Sequence, residues 1–456
     1  MGVLLRGGTV VSAQGMAELD VLLEGEKVAA VGKGLPAGNA QTVDCAGMLL
    51  FPGFIDGHTH FDLEVCGTIT ADDFSSGSRA ALRGGTTMVI DFAAPDKGET
   101  LAHGLARWRE KAGSGTACDY GFHMTIDGWN GGISHEVGEM MALGVTSFKM
   151  YMTSPAMMIP EDDMYRALLR LREVGGIAGV HCENDGVIRA LVEEAKKAGQ
   201  LAPSSHPRTR PAPLEAEAVG HLLRLAQVAD VPVIIVHLSS RESMEEVRAA
   251  RRRGQTVYVE TCPQYLLLED SVYNHPDYIE AAKFVCAPPI RKQEDQNALW
   301  EALQNGEIDT VATDHCSFTT AQKRAGRYDF TRIPGGLPSV EHRGVLLYTH
   351  GVAAGRISPP ALCRVLSENP AKLYGCWPRK GVIAPGSDGD IVVYDPAADG
   401  VISASSQAQR ADYTPYEGWK TVGSIAQVYL RGQLAVDHGE ILETQGQFIP
   451  RGKNQL

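Results

Sequence analysis

The sequence predicts an α/β protein in which a (β/α)8 TIM-like barrel carries a small β-sandwich built from both chain ends. Three observations predict it. Eight apolar runs alternate with amphipathic stretches through the middle of the chain, the two ends share a different texture, and polar residues recur where the apolar runs stop.

The runs are residues 50–58, 85–92, 119–126, 145–152, 176–183, 231–238, 256–262 and 308–314. Between them, stretches such as 162–174, 214–228 and 240–253 repeat apolar residues at helical spacing. Strand and helix in unbroken alternation give parallel pairing, and eight repeats are enough to close a barrel. The ends show short alternating strands with glycine turns, at 4–11 and 21–31 and again at 389–394 and 426–432. Neither end is long enough to bury a core alone. Residues 1–52 plus 378–456 are therefore expected to form one small antiparallel sandwich, with the barrel, 53–377, inserted between them. The C-terminal tail is a candidate for an oligomer interface.

Composition narrows the function classes. A net charge of −13 argues against nucleic acid and anionic membranes as partners. No apolar run approaches the roughly 20 residues of a membrane span. The nine cysteines are odd in number and scattered without CxxC pairs, which fits reduced thiols. The first residues run directly into strand-like sequence without the features of a signal peptide, so a cytoplasmic protein is expected. Neither a phosphate loop nor a dinucleotide fingerprint occurs in the required setting.

Chemistry concentrates at the carboxyl ends of the runs. His58 and His60 lie two apart on a strand, so both imidazoles share a face and can address one cation. Lys149, His181, His237 and Asp314 occupy the corresponding stretches of four later runs. Taken singly, each histidine reads as a hydrogen-bonded core residue, Lys149 as a snorkelling side chain and Asp314 as a helix cap. Taken together on one rim, they are better explained as a metal site. An ammonium would be repelled by divalent cations. A buried lysine of lowered pKa, in contrast, can react with carbon dioxide to give a carbamate, an anion with two oxygens suited to bridging two metals.

Several segments carry a family resemblance: Gly53-Phe54-Ile55-Asp56-Gly57-His58-Thr59-His60, Ser147-Phe148-Lys149-Met150-Tyr151, Val180-His181-Cys182-Glu183, Val236-His237-Leu238-Ser239, Glu260-Thr261-Cys262-Pro263 and Thr313-Asp314-His315-Cys316. In order and spacing the chain resembles the metal-dependent cyclic amidohydrolases, and within them the hydantoinase–dihydropyrimidinase group. The resemblance implies that His58, His60, Asp314 and N6-carboxylated Lys149 hold one divalent metal ion, and the same carboxylate with His181 and His237 a second. The ions would be zinc, with manganese or cobalt as alternatives. It further implies an activated water as nucleophile and Asp314 as the catalytic proton shuttle. The substrate would be a small cyclic amide, a 5-monosubstituted hydantoin opened to an N-carbamoyl amino acid, and the protein a homo-oligomer, tetramer or dimer. Dihydropyrimidinase, or hydrolysis of another cyclic imide or lactam, is the alternative. A non-catalytic scaffold of the same fold is disfavoured because all six ligands are present. Asp62 would repel a carboxylate where dihydroorotases carry an arginine.

Three positions of the expected substrate pocket depart from the group. Ser154 stands where a tyrosine usually donates to the oxyanion, and Ala287 and Gly335 replace a serine and an asparagine that act mainly through their backbones. Tyr151 is two residues from Lys149 and so begins on the same strand face. His206, Arg210, Glu215 and Glu217 are read as groups that support ligands or packing, and Cys182, Cys262 and Cys316 as structural thiols.

Overall fold

The computed structural model describes residues 2–113 and 115–456. Eight parallel strands lie side by side in chain order: Phe54–Thr59, Thr86–Ala93, Asp119–Thr125, Ser147–Tyr151, Ile177–His181, Val233–Ile235, Val257–Thr261 and Thr310–Val311. Each falls within or overlaps one expected run, and nearly every residue in them is buried, as a parallel sheet covered on both faces demands. The ring closes between its first and last strands. His60 N–H donates to His315 O at 2.8 Å and His315 N–H to His58 O at 3.3 Å.

The expected helices are present as Glu161–Val174, Ala212–Ala229 and Arg241–Arg252. The first buries Met164, Ala167, Leu168 and Leu171, one apolar face at helical spacing. Helices begin directly after the strands that carry chemistry. Asn184 caps Asp185–Lys197 by accepting Val187 N–H, and Ser240 caps Arg241–Arg252 by accepting Ser243 N–H.

Run 50–58 holds two strands rather than one. Leu49–Pro52 belongs to the terminal sheet and Phe54–Thr59 to the barrel. Gly53 is the joint, where a Cβ would lie 2.1 Å from Thr87 Oγ1 and 2.9 Å from Asp390 Cβ. The terminal sheet unites Val3–Ser12, Gly15–Glu24, Lys27–Gly32, Gln41–Asp44 and Leu49–Pro52 with Ile391–Val401, Lys420–Leu430, Gln433–Asp437 and Glu440–Ile441. Its pairing is mixed rather than antiparallel throughout, because Val3–Ser12 runs parallel to both Gln41–Asp44 and Leu49–Pro52. The two ends of the chain meet where Leu49–Pro52 pairs with Ile391–Val401. Alternation divides the apolar side chains: Leu5, Leu50 and Val393 fill the sheet's own core, whereas Val11, Phe51 and Val392 join the core of the barrel.

Beneath the barrel, Lys380 ties the two sheets together. Its Nζ lies 2.5 Å from Asp119 Oδ2 on the third barrel strand, 2.6 Å from Asp390 Oδ2 and 2.9 Å from Asp388 Oδ2. Arg431 also pairs with Asp119. The C-terminal tail crosses the same end of the barrel, where Tyr120 N–H donates to Gln447 O and Ile449 N–H to Tyr120 O. Arg451 reaches into the barrel floor and donates to Ser147 Oγ at 2.9 Å.

Candidate active site

His58, His60, Lys149, Tyr151, Ser154, His181, His237, Ala287, Asp314 and Gly335, all singled out from sequence, border one cavity of about 810 Å³ at the carboxyl end of the barrel. His58 and His60 share the inner face of the first strand with ring centroids 5.1 Å apart, and His237 lies 5.4 Å from His58 and 4.5 Å from His181. Asp314 follows the eighth strand in a left-handed backbone conformation, φ 51°. The preceding residue is pinned, because Thr313 donates from its N–H to Asp56 Oδ1 at 3.1 Å and from its hydroxyl to Asp56 Oδ2 at 2.7 Å. The turn brings Asp314 Oδ1 to 3.1 Å from the Nε2 atoms of both His58 and His60. His58, His60 and Asp314 thus gather three potential ligand atoms within 4.8 Å of one another.

Two carboxylates to which the sequence reading gave no role orient the imidazoles. Glu260 accepts from His58 Nδ1 at 2.6 Å and from His237 N–H at 3.2 Å. Glu183 takes His181 Nε2 at 2.7 Å and is held on its other side by Arg210 at 2.6 Å. Both sit at strand ends with the imidazoles, Glu260 inside Val257–Thr261 and Glu183 two residues past His181. A buried carboxylate bonded to a ligand histidine fixes which ring nitrogen faces the site. The signal available beforehand was an acidic residue interrupting an apolar run, the same signal that exposed Asp314.

The donor set fits cations. Among the described residues, His60 Nδ1 and His237 Nδ1 are buried without a hydrogen-bond partner, a costly state for an imidazole nitrogen unless something else fills its lone pair. Burial pushes the His58 imidazole down, but the Glu260 and Asp314 carboxylates outweigh it and bring it up to about 9. His60 is carried down to about 4 by burial. Burial works against ionised Asp314, yet the His58 charge and the bonds from both imidazoles hold its carboxyl well below the usual range. Lys149, 1% exposed, is brought down to about 8 by burial. Among the described residues it has no hydrogen bond or ion pair, and its Nζ lies 5.1 Å from the Phe92 ring centre and 4.9 Å from that of Tyr151.

Beside the cluster Tyr151 stacks on His181, with centroids 5.8 Å apart. Burial and the nearby Asp314 carboxylate push its phenol up, so it stays protonated, and its hydroxyl has no hydrogen-bond partner among the described residues. Ser154 occupies a left-handed turn, φ 68°, whose carbonyl accepts from Met157 and Met158 N–H. The expected structural thiols Cys182, Cys262 and Cys316 are buried, and burial raises all three.

A barrel with imidazoles, a lysine and an aspartate converging at its carboxyl rim defines a hydrolase of the metal-dependent kind. The chain belongs to the amidohydrolase family, whose model matches residues 49–435. It is 39% identical to the D-hydantoinase of Geobacillus stearothermophilus, covering 99% of this chain and 96% of that one. It is 42% identical to the D-phenylhydantoinase of Escherichia coli O7:K1, covering 99% and 98%. The crystal structure of dihydropyrimidinase from Brevibacillus agri NCHU1002 superposes with a TM-score of 0.98 at 39% identity, over 100% of this chain and 99% of that one.

Proposed function

We propose that the protein hydrolyses the ring amide of 5-monosubstituted hydantoins to N-carbamoyl amino acids. The observation that carries this reading is the convergence of His58, His60, Lys149, His181, His237 and Asp314 on one large cavity. His58, His60, Asp314 and N6-carboxylated Lys149 would hold one divalent ion, and His181, His237 and the same carboxylate a second. Zinc suits the imidazole-rich set, with manganese or cobalt as alternatives. Bound there, the ions supply Lewis acidity and lower the pKa of water. The lack of an ion pair at Lys149 among the described residues, and the burial that outweighs the pull of Asp314 and Glu260 on its ammonium, support its carboxylation.

Asp314 is ionised and so able to accept the proton of the attacking water as the new C–O bond forms. It returns that proton to the ring nitrogen as the C–N bond breaks. Tyr151 offers a protonated hydroxyl, unpartnered among the described residues, on the cavity wall and is our candidate donor to the carbonyl oxygen, in place of the short side chain of Ser154. The backbones of Ala287 and Gly335 would grip the ring edge. Leu63, Val65, Met157, Ile188, Phe330 and Ile333 supply an apolar wall for a bulky 5-substituent.

Dihydropyrimidinase is the second reading, favoured by the Brevibacillus agri neighbour. Steady-state kinetics on 5-phenylhydantoin and dihydrouracil separates the two. The roomy apolar wall predicts kcat/KM about tenfold or more in favour of phenylhydantoin, the discrimination that one or two buried methylene groups' worth of contact gives. Equal or faster turnover of dihydrouracil overturns the hydantoin reading in favour of the second.

Nine cysteines without a disulfide among the described residues support a cytoplasmic setting, and no helix there is long and apolar enough to cross a membrane. A shallow surface depression lined by Tyr165, Leu225 and Val228, the last 70% exposed, together with Glu161 and Asp162, supports assembly into a homo-oligomer.

A further inference from the structure

The segments that carry Ala287 and Gly335 are held from behind by a single side chain. Lys323, in the short helix Thr320–Arg324, is fully buried. Its Nζ donates to Val285 O at 2.9 Å, Pro334 O at 2.8 Å and Gly336 O at 2.9 Å. An ammonium has three protons, so all three are used. No carboxylate bonds it among the described residues, and burial brings it down to about 8. A buried cation without a counter-ion is costly, and this one joins two segments that both border the cavity.

Adjacent bonds complete the frame. Gly336 N–H donates to Val285 O at 2.9 Å, linking the segments directly. His206 Nε2 donates to Cys286 O at 2.7 Å, and the Tyr265 hydroxyl to Pro288 O at 2.7 Å. Gly336 has φ 152°, and a Cβ there would lie 2.3 Å from Cys316 O, so the close approach needs glycine. The carbonyls of Val285, Cys286, Pro288, Pro334 and Gly336 are thereby all engaged. The backbones of Ala287 and Gly335 make no hydrogen bond among the described residues, and both residues line the cavity.

We infer that Lys323 is a positioning residue: it locks residues 285–287 and 334–336 so that the free backbone groups of Ala287 and Gly335 meet the carbonyl–N–H–carbonyl edge of a cyclic imide. This rests on the function proposed above. The side chain never touches the substrate and acts through the carbonyls it binds.

The test uses metal-loaded protein, with glutarimide and δ-valerolactam as competitors against 5-phenylhydantoin. Glutarimide presents both carbonyls of the imide edge, and the lactam lacks one. Wild type should bind glutarimide at least about tenfold more tightly, the worth of one good hydrogen bond in a formed site. Lys323→Met should bring that ratio towards one and raise KM, with kcat and bound metal little changed. Lys323→Gln keeps two N–H donors and should recover part of the preference. If Lys323→Met does not fold, Lys323→Gln carries the same readout, with a reduced ratio expected. A variant that keeps the full wild-type ratio overturns the role of Lys323 and leaves the pocket reading standing. A wild type without any imide preference overturns both.

Discussion

Two clusters in this molecule each bring three potential cation ligands together, and they are completed in opposite ways. His58, His60 and Asp314 meet at the carboxyl end of the barrel, and Asp119, Asp388 and Asp390 at the amino end. At the amino end the chain provides its own cation. Burial disfavours charge on Lys380, but Asp390, Asp119 and Asp388 outweigh it and hold the ammonium far above the ordinary lysine range. At the carboxyl end no lysine or arginine bonds any of the three ligands among the described residues, and buried imidazole nitrogens are left without partners. Ligand count alone therefore does not mark a site. What distinguishes them is whether the fold has already neutralised the cluster.

The sharpest way to break this contrast is at Asp314. Asp314→Asn keeps the shape but cannot accept and return a proton, so kcat should fall by about 10²–10⁴ with bound metal largely retained. Metal analysis alongside turnover checks both halves, and near-normal kcat would move the proton shuttle to another residue. The amino-end cluster should respond the other way. Lys380→Met leaves Asp390 without its ion pair, while Asp119 keeps Arg431 and Asp388 keeps Lys27 and Arg379, and should cost about 3–5 kcal/mol of stability by chemical denaturation, with kcat/KM per folded molecule and metal content unchanged. Loss of bound metal in that variant would erase the distinction between the two clusters.

The smallest effect concerns a histidine that is satisfied rather than orphaned. His206 donates to Cys286 O, and burial carries it down to about 3 from an ordinary value near 6.5. Between those two values the unfolded chain binds a proton that the folded chain refuses. Stability is therefore complete above pH 6.5 and declines as pH falls towards 3. His206→Gln keeps a donor but does not titrate, so the loss between pH 7 and pH 4 should shrink by on the order of 2–3 kcal/mol. Identical pH profiles for the two proteins would show that His206 is protonated in the folded state.

All eight barrel strands and the six polar residues that converge on the cavity were legible because both announce themselves locally, as apolar runs and as polar residues where the runs stop. What stayed hidden depends on partners far away in sequence. Run 50–58 reads as one strand because nothing local shows that Thr87 and Asp390 press against Gly53. Lys323 carries no signal of its own, since Lys323-Arg324 stands among polar neighbours and only the folded loops bury it. Glu260 lies within a segment that carries the family resemblance, but its tie to His58, 202 residues away, is a product of barrel closure. The mixed pairing of the terminal sheet follows from Val3–Ser12 accepting two later strands, a choice that alternation does not encode.

The seam of the barrel has one further consequence. The stitches between first and last strands run through the backbones of His58, His60 and His315, and the side chains of His58, His60 and Asp314 face one another across the same join. Enclosure and reactivity thus share one address. Opening the ring at this join would part His58 and His60 from Asp314. The geometry of the site is therefore a gauge of whether the circle is whole.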